Sequence, residues 1–389
     1  MKKTILTTAI LAVLSSSSLA LAETDKQRIK VLEQKVDALV EMVEAKTTEI
    51  KENKVHIGGY GEMHFNQIKD EDNEFRGIDF HRLVVFVGYD FSDSIRFVSE
   101  LEVEHAVSSA SKAGEFEVEQ AYLEFDLDKE KSMKLKTGII LMPVGVINET
   151  HEPAVFYGVE RPIIETTMLP STWWSGGIMF THNLNSGLSY DLFLSEGLKT
   201  KINDPFNIKG GKQKTTSAAG DGGKADAFDL AMTARVKYTG IAGLEVSAYT
   251  QYQPDLDQSA KESYADAAIL MGAHAIYQFN DFKATALYAN WTLEGDKAKA
   301  AKKDSQTGGY VELSYKPTEK IGVFVRQSQW QKKANESATQ TDFGANYWPL
   351  PNIVFKVDFQ IMNEFAGRDT NREILKKATA FNLGMGYHF

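Results

Sequence analysis

Apolar and polar residues alternate one by one along most of the chain beyond residue 54. In the last segment, Phe381, Leu383, Met385, Tyr387 and Phe389 share one face, while Asn382, Gly384, Gly386 and His388 share the other. Near the start, His56, Tyr60, Glu62, His64 and Asn66 oppose Val55, Ile57, Met63 and Phe65; Ala227 to Tyr238 and Ile353 to Met362 repeat the pattern. A period of two predicts strands with one greasy and one wet face, and a terminal aromatic suits the girdle of a membrane barrel. A soluble sandwich alternates too, with its apolar face inward.

Connection lengths separate the two readings. Tight joins are expected at Ser92-Asp93, Asp128 to Lys131, Asn183 to Ser186, Gly240 to Gly243, Asn280-Asp281, Pro317 to Lys320 and Pro349 to Asn352. Longer polar joins are expected between them, near Gln67 to Ile78, Ala106 to Gly114, Met142 to Ser175, Gly197 to Ala225, Gln253 to Ser263, Glu294 to Ser305, Gln331 to Gln340 and Asn363 to Lys377. Outer-membrane barrels pair short periplasmic turns with long external loops, so the spacing predicts an all-β transmembrane antiparallel barrel of about sixteen strands over residues 55–389. Closure is required because backbone amides facing hydrocarbon must be paired within the sheet. Strand one must then pair with the last strand.

Two other patterns precede the strands. Lys2 and Lys3, an apolar run from Ile5 to Leu14, a serine run and Ala20-Leu21-Ala22 have the layout of a secretory signal peptide, expected over residues 1–22. A retained membrane anchor is the rival, but the run is shorter than the roughly 20 residues a spanning helix needs. Over residues 23–54, Ile29, Val36, Val43 and Ile50 recur every seven residues, with Leu32 and Leu39 at d positions and Lys46 weakening the seam. This predicts a short periplasmic coiled-coil helix that brings chains together; one amphipathic helix docked on or plugging the barrel is the alternative.

Composition narrows the class further. The chain of 389 residues has no cysteine, which removes disulfides and thiolate metal sites. Its formal net charge of -10 disfavours nucleic acid as a partner.

The stretch Thr137-Gly138-Ile139-Ile140-Leu141-Met142-Pro143-Val144-Gly145 leads into Asn148-Glu149-Thr150-His151-Glu152-Pro153 and Phe156-Tyr157-Gly158-Val159-Glu160-Arg161-Pro162. It is followed by Pro170-Ser171-Thr172-Trp173-Trp174. With Ala121-Tyr122-Leu123-Glu124-Phe125 and the C-terminal strand, it resembles the phosphate-selective porin O/P family. The resemblance implies a trimeric, sixteen-stranded outer-membrane channel for small anions, with an arginine ladder and a lysine cluster along the path.

The lumen charges assigned by alternation are of both signs. Candidate cations are Arg82, Arg96, Lys134, Lys136, Arg235, Lys237, Lys283, Arg326 and Lys356. On the same faces lie Glu62, Glu100, Glu102, Glu104, Glu124, Asp126, Asp191, Asp229 and Asp358. Opposed signs create a transverse field in a pore, although charges that pair across strands and merely stay solvated give the same list. The join from Met142 to Ser175 is the candidate constriction. Its Phe156, Tyr157, Trp173 and Trp174 need burial, either inside the lumen, where His151, Glu152, Glu160 and Arg161 face the path, or in a subunit interface.

Catalysis finds no support. His151-Glu152 lacks the second histidine of a zincin, since Val155 holds that position and Pro153 breaks the helix. No nucleophile elbow, phosphate loop or dinucleotide fingerprint occurs in a strand-to-helix setting. The expectation is a non-enzymatic porin without cofactor, set in outer-membrane lipid as a homotrimer and passing small hydrophilic solutes, with anions or phosphate preferred. The alternatives are a non-conducting adhesive or structural barrel, for which liposome swelling is the discriminating test, and a barrel hydrolase, for which activity on ester substrates is the test.

Overall fold

The computed structural model describes residues 54–105, 114–212, 225–258, 265–366 and 375–389. The expected leader and heptad segment, up to residue 53, lie outside the described residues. Sixteen strands run in order: β1 (Val55–Asp70), β2 (Glu74–Ser92), β3 (Ile95–Glu104), β4 (Glu115–Asp126), β5 (Met133–Leu141), β6 (Trp174–Asn183), β7 (Leu188–Ser195), β8 (Ala231–Tyr238), β9 (Leu244–Gln253), β10 (Ala268–Phe279), β11 (Phe282–Leu293), β12 (Ser305–Thr318), β13 (Ile321–Lys333), β14 (Glu336–Leu350), β15 (Ile353–Ala366) and β16 (Leu375–His388). Each pairs antiparallel with its neighbours, and β16 returns to β1 to close the barrel. At the seam Tyr60 faces His388, and the Phe389 and Gly59 backbones exchange hydrogen bonds of 2.9 and 3.1 Å. Closure leaves no open sheet edge in the wall, which hydrocarbon requires.

The outer face is apolar. Met232, Val236, Met271, Val311, Val325, Phe343, Phe359, Ile361 and Leu383 are exposed on it, a continuous surface that only lipid covers at low cost. Aromatics gather near the tight turns: Phe282 stacks on Tyr315 with ring centres 4.5 Å apart, and Tyr89 meets Phe91 at 5.0 Å.

All seven expected tight turns occur, but two of the expected long joins are tight as well. β1 and β2 run on to leave only Glu71 to Asn73, closed by Asp70 accepting from the Asp72 and Asn73 amides at 2.8 and 2.7 Å. β13 and β14 leave only Ala334 and Asn335, the latter in the left-handed region at φ 68°. Beyond the membrane a polar strand pairs its backbone equally well, so hydropathy marks where lipid ends rather than where the hairpin ends. Asp229 precedes β8 and so falls outside the alternation that placed it on an inner face.

The inner face is not uniformly wet. On β10 to β12, Leu270, Leu287, Trp291, Leu293 and Tyr310 point inward and are buried. They meet Val144, Ile164, Met168, Leu169 and Trp173 of the 142–173 segment, including a one-turn helix α1 (Ile164–Thr167). The segment lies inside the lumen. Inward-facing glycines make room for it: a Cβ on Gly386 would stand 2.4 Å from Pro153, and one on Gly308 2.5 Å from Met168.

Candidate functional site: the inward loop and the charged lumen

The feet of the loop are clamped by one side chain. Asn148 donates to the Met142 and Trp173 carbonyls at 2.8 and 2.9 Å and accepts from the Trp173 amide at 2.7 Å. Farther on, Glu165 accepts from the Val146 and Ile147 amides at 2.8 Å and from the Tyr310 hydroxyl at 2.7 Å. Burial raises the Glu165 carboxyl above its usual range despite these donors. Trp291 donates to the Met168 carbonyl at 3.0 Å.

The next stretch, residues 151–160, is held by charge. Arg82 donates to Glu62 at 2.6 Å and to the His151 carbonyl at 2.9 Å. Arg326 bonds Glu312 at 2.6 Å, Asp342 at 3.3 Å and the Tyr157 carbonyl at 2.7 Å. Lys356 donates to the Gly158 carbonyl at 2.8 Å, and Asp358 accepts from the Val159 amide at 2.5 Å. Arg82, Arg326 and Lys356 are buried. An extended loop in a lumen carries unpaired carbonyls, and inward-facing cations satisfy them.

The remaining sequence candidates divide by depth. At the loop end, a cavity of about 1560 Å³ has Glu104, Glu117, Glu119, Glu160 and Asp226 as its acidic lining and Arg161, Lys199, Lys201, Lys209 and Lys212 as its basic lining, Lys199 being paired with Asp226. Glu160 meets His64 at 3.1 Å and Asn66 at 2.9 Å; burial pushes its carboxyl up, but His64 outweighs this and brings it down to about 2. Arg161 bonds Thr172 at 2.7 Å. At the turn end, Lys134, Lys136, Arg235 and Lys237 line a smaller cavity of about 200 Å³ with Glu124, Glu149 and Asp191. Arg235 pairs with Asp191 at 2.7 Å and with Glu149, and Arg96 with Glu124 and Asp126. Lys283 and Glu152 are half-buried. Glu100 and Glu102 are buried on β3.

The buried acids Glu165, Glu312, Asp342 and Glu119 were not named from the sequence, and for Glu119 the strand pattern itself misleads. Alternation from Glu124 sends Glu119 to the lipid side, yet β4 carries a bulge: Glu100 pairs with Gln120 and Leu101 with Val118, leaving Glu119 between them. The extra residue turns Glu119 inward beside Gln120. Its signal was a charge on what alternation made an apolar face.

No family model matches the chain. An uncharacterized protein of Aquifex aeolicus is 29% identical over 337 residues, spanning 78% of this chain and 75% of that protein. Among solved structures, the anion-selective porin from Comamonas acidovorans aligns over 86% of this chain and 99% of its own, with a TM-score of 0.60 at 12% identity. Salmonella typhi OmpF in complex with daunomycin gives 0.59 at 16% identity, over 87% and 98%. OmpT of Vibrio cholerae, in its trimer form, gives 0.55 at 13%, over 87% and 100%. The chain has the fold of outer-membrane porins.

Proposed function

We propose that the protein is an outer-membrane porin, a passive channel for small hydrophilic solutes, with the 142–173 segment as its constriction. The observation that carries this reading is the segment's position inside a closed wall, contributing Glu160 and Arg161 to one water-accessible cavity and Glu149 to another. Arg161, Glu160, Lys134, Lys136, Arg235 and Lys237 face the path; Arg82, Arg326, Lys356, Glu100, Glu102 and His151 act by holding the loop. Charges of both signs across a narrow lumen set up a transverse field. An anion preference is part of this reading: it is supported by the lysines Lys201, Lys209 and Lys212 in the loop-end cavity, set against acids of the same lining, and by the resemblance of the motifs between Ala121 and Gly177 to the phosphate-selective porins. The working unit is a homotrimer, its leader (1–22) removed, with residues 23–54 joining the chains in the periplasm.

The test is single-channel recording in a planar bilayer under a salt gradient. Conductance with an anion-selective reversal potential, reduced by Lys201→Glu and Lys209→Glu together, is the expected result. Conductance with no selectivity removes the anion preference and leaves a general porin. No conductance, and no swelling of liposomes in small sugars, sinks the channel reading in favour of a structural barrel.

A further inference from the structure

Where the loop meets β3 and β4, three potential metal ligands converge in a buried pocket. His151 Nε2 lies 3.4 Å from Glu100 Oε1 and 3.3 Å from Glu119 Oε2, and the three residues offer ligand atoms all within 4.8 Å of one another. All three side chains are at least nine-tenths buried. His151 Nε2 and Glu119 Oε2 have no hydrogen-bond partner, although they face each other. Charge-assisted N–H···O bonds close to about 2.7–2.9 Å, shorter than these separations. Ligands placed tetrahedrally around zinc at about 2.0–2.1 Å stand about 3.3–3.4 Å apart, which matches them.

The surroundings are those of a metal centre. His151 Nδ1 is 3.1 Å from the Asn148 carbonyl, so it carries the proton and leaves Nε2 as the ligand. Gln120 donates to the other Glu100 oxygen at 2.7 Å, orienting that carboxylate. The charge balance points the same way. Glu62, Glu100, Glu102 and Glu119 are buried near one buried guanidinium, Arg82; Glu62 also meets His64 at 3.3 Å, and Arg161 is in reach of Glu119. Neither Glu102 oxygen has a hydrogen-bond partner, and Arg82 Nε stands 3.9 Å away. Uncompensated carboxylates at this depth are costly, and a divalent cation offsets two of them.

We propose that Glu100, Glu119 and His151 bind a divalent transition-metal ion of the zinc type, which ties the constriction loop to the wall at β3 and β4. One imidazole and two carboxylates suit zinc, whereas calcium and magnesium require more oxygen ligands. The site does not depend on whether the barrel conducts.

The test uses the full-length protein in detergent, stripped with a chelator, loaded with Zn²⁺ and dialysed. One zinc per chain by elemental analysis is expected, with a zinc-dependent rise in thermal stability. Glu119→Gln and His151→Ala, each shown to be folded by heat-modifiable gel mobility, should weaken zinc binding by at least about 100-fold, more than the loss of an outer-shell partner. His81→Ala should bind as the parent does. Failure of the parent to retain zinc overturns the proposal in favour of a protonated imidazole shared by two carboxylates. Zinc lost in His81→Ala but kept in His151→Ala overturns it too, placing the ion on Asp79, His81 and His105 at the loop end.

Discussion

The two halves of the inward loop are fastened by opposite means. Residues 163–173 bury Ile164, Met168, Leu169 and Trp173 against an apolar patch on β10 to β12, while residues 151–160 have a smaller cluster of Tyr157 on Phe324, Trp348 and Val354 and hang their backbone from Arg82, Arg326, Lys356 and Asp358. Apolar packing supplies net stability in proportion to area, at roughly 25 cal/mol per Å². Buried ion pairs nearly break even against desolvation, yet losing one partner is severe because the other charge is stranded. The apolar half therefore anchors the loop, and the ionic half fixes the path of its backbone inside the lumen.

The sharpest way to break this contrast is Arg326→Met. It strands Glu312 and Asp342 and frees the Tyr157 carbonyl, so a loss of about 3–5 kcal/mol is expected, read as a fall in unfolding temperature with larger, noisier single-channel conductance. Adding Glu312→Gln and Asp342→Asn should recover part of that loss, which purely apolar anchoring would not produce. On the apolar side, Met168→Ala should cost about 2–4 kcal/mol, with conductance less affected than by Arg326→Met because the 151–160 path is still pinned. Trp291→Phe keeps an aromatic ring but trims the buried indole and removes the hydrogen bond to the Met168 carbonyl, a loss of about 2 kcal/mol, seen as a shift in thermal unfolding. The smallest effect falls on Glu160→Gln. It removes a charged partner of His64, so a modest fall in unfolding temperature is expected, and it should move the reversal potential toward anions; an unchanged potential would place Glu160 off the permeation path.

Much of the wall was legible from sequence because each strand carries its own period. Sixteen strands, seven tight turns and the closing pair between the first and last strands follow from local alternation and from the rule that lipid-facing amides must be paired. Alternation also placed Arg82, Glu100, Arg235, Arg326 and Lys356 on the inner face, where they lie. Besides Asp229, which precedes β8, it failed on three points, each physical. Hairpins outlast the membrane at Glu71 to Asn73 and at Ala334-Asn335. The inner face of β11 is apolar at Leu287, Trp291 and Leu293 because a loop, not water, covers it. A single bulge reversed Glu119.

Residue type and spacing alone thus determined that the chain makes a closed wall, since the period of a strand is local and the demand of lipid is general. Whether the segment after β5 lies within that wall or between subunits was decided only by tertiary structure, because its burial depends on distant partners. Pro153 needs the space beside Gly386, and the Tyr157 ring needs Phe324 and Trp348, more than 160 positions away. No local pattern encodes such a fit; it exists only once the strands have been brought round into a ring.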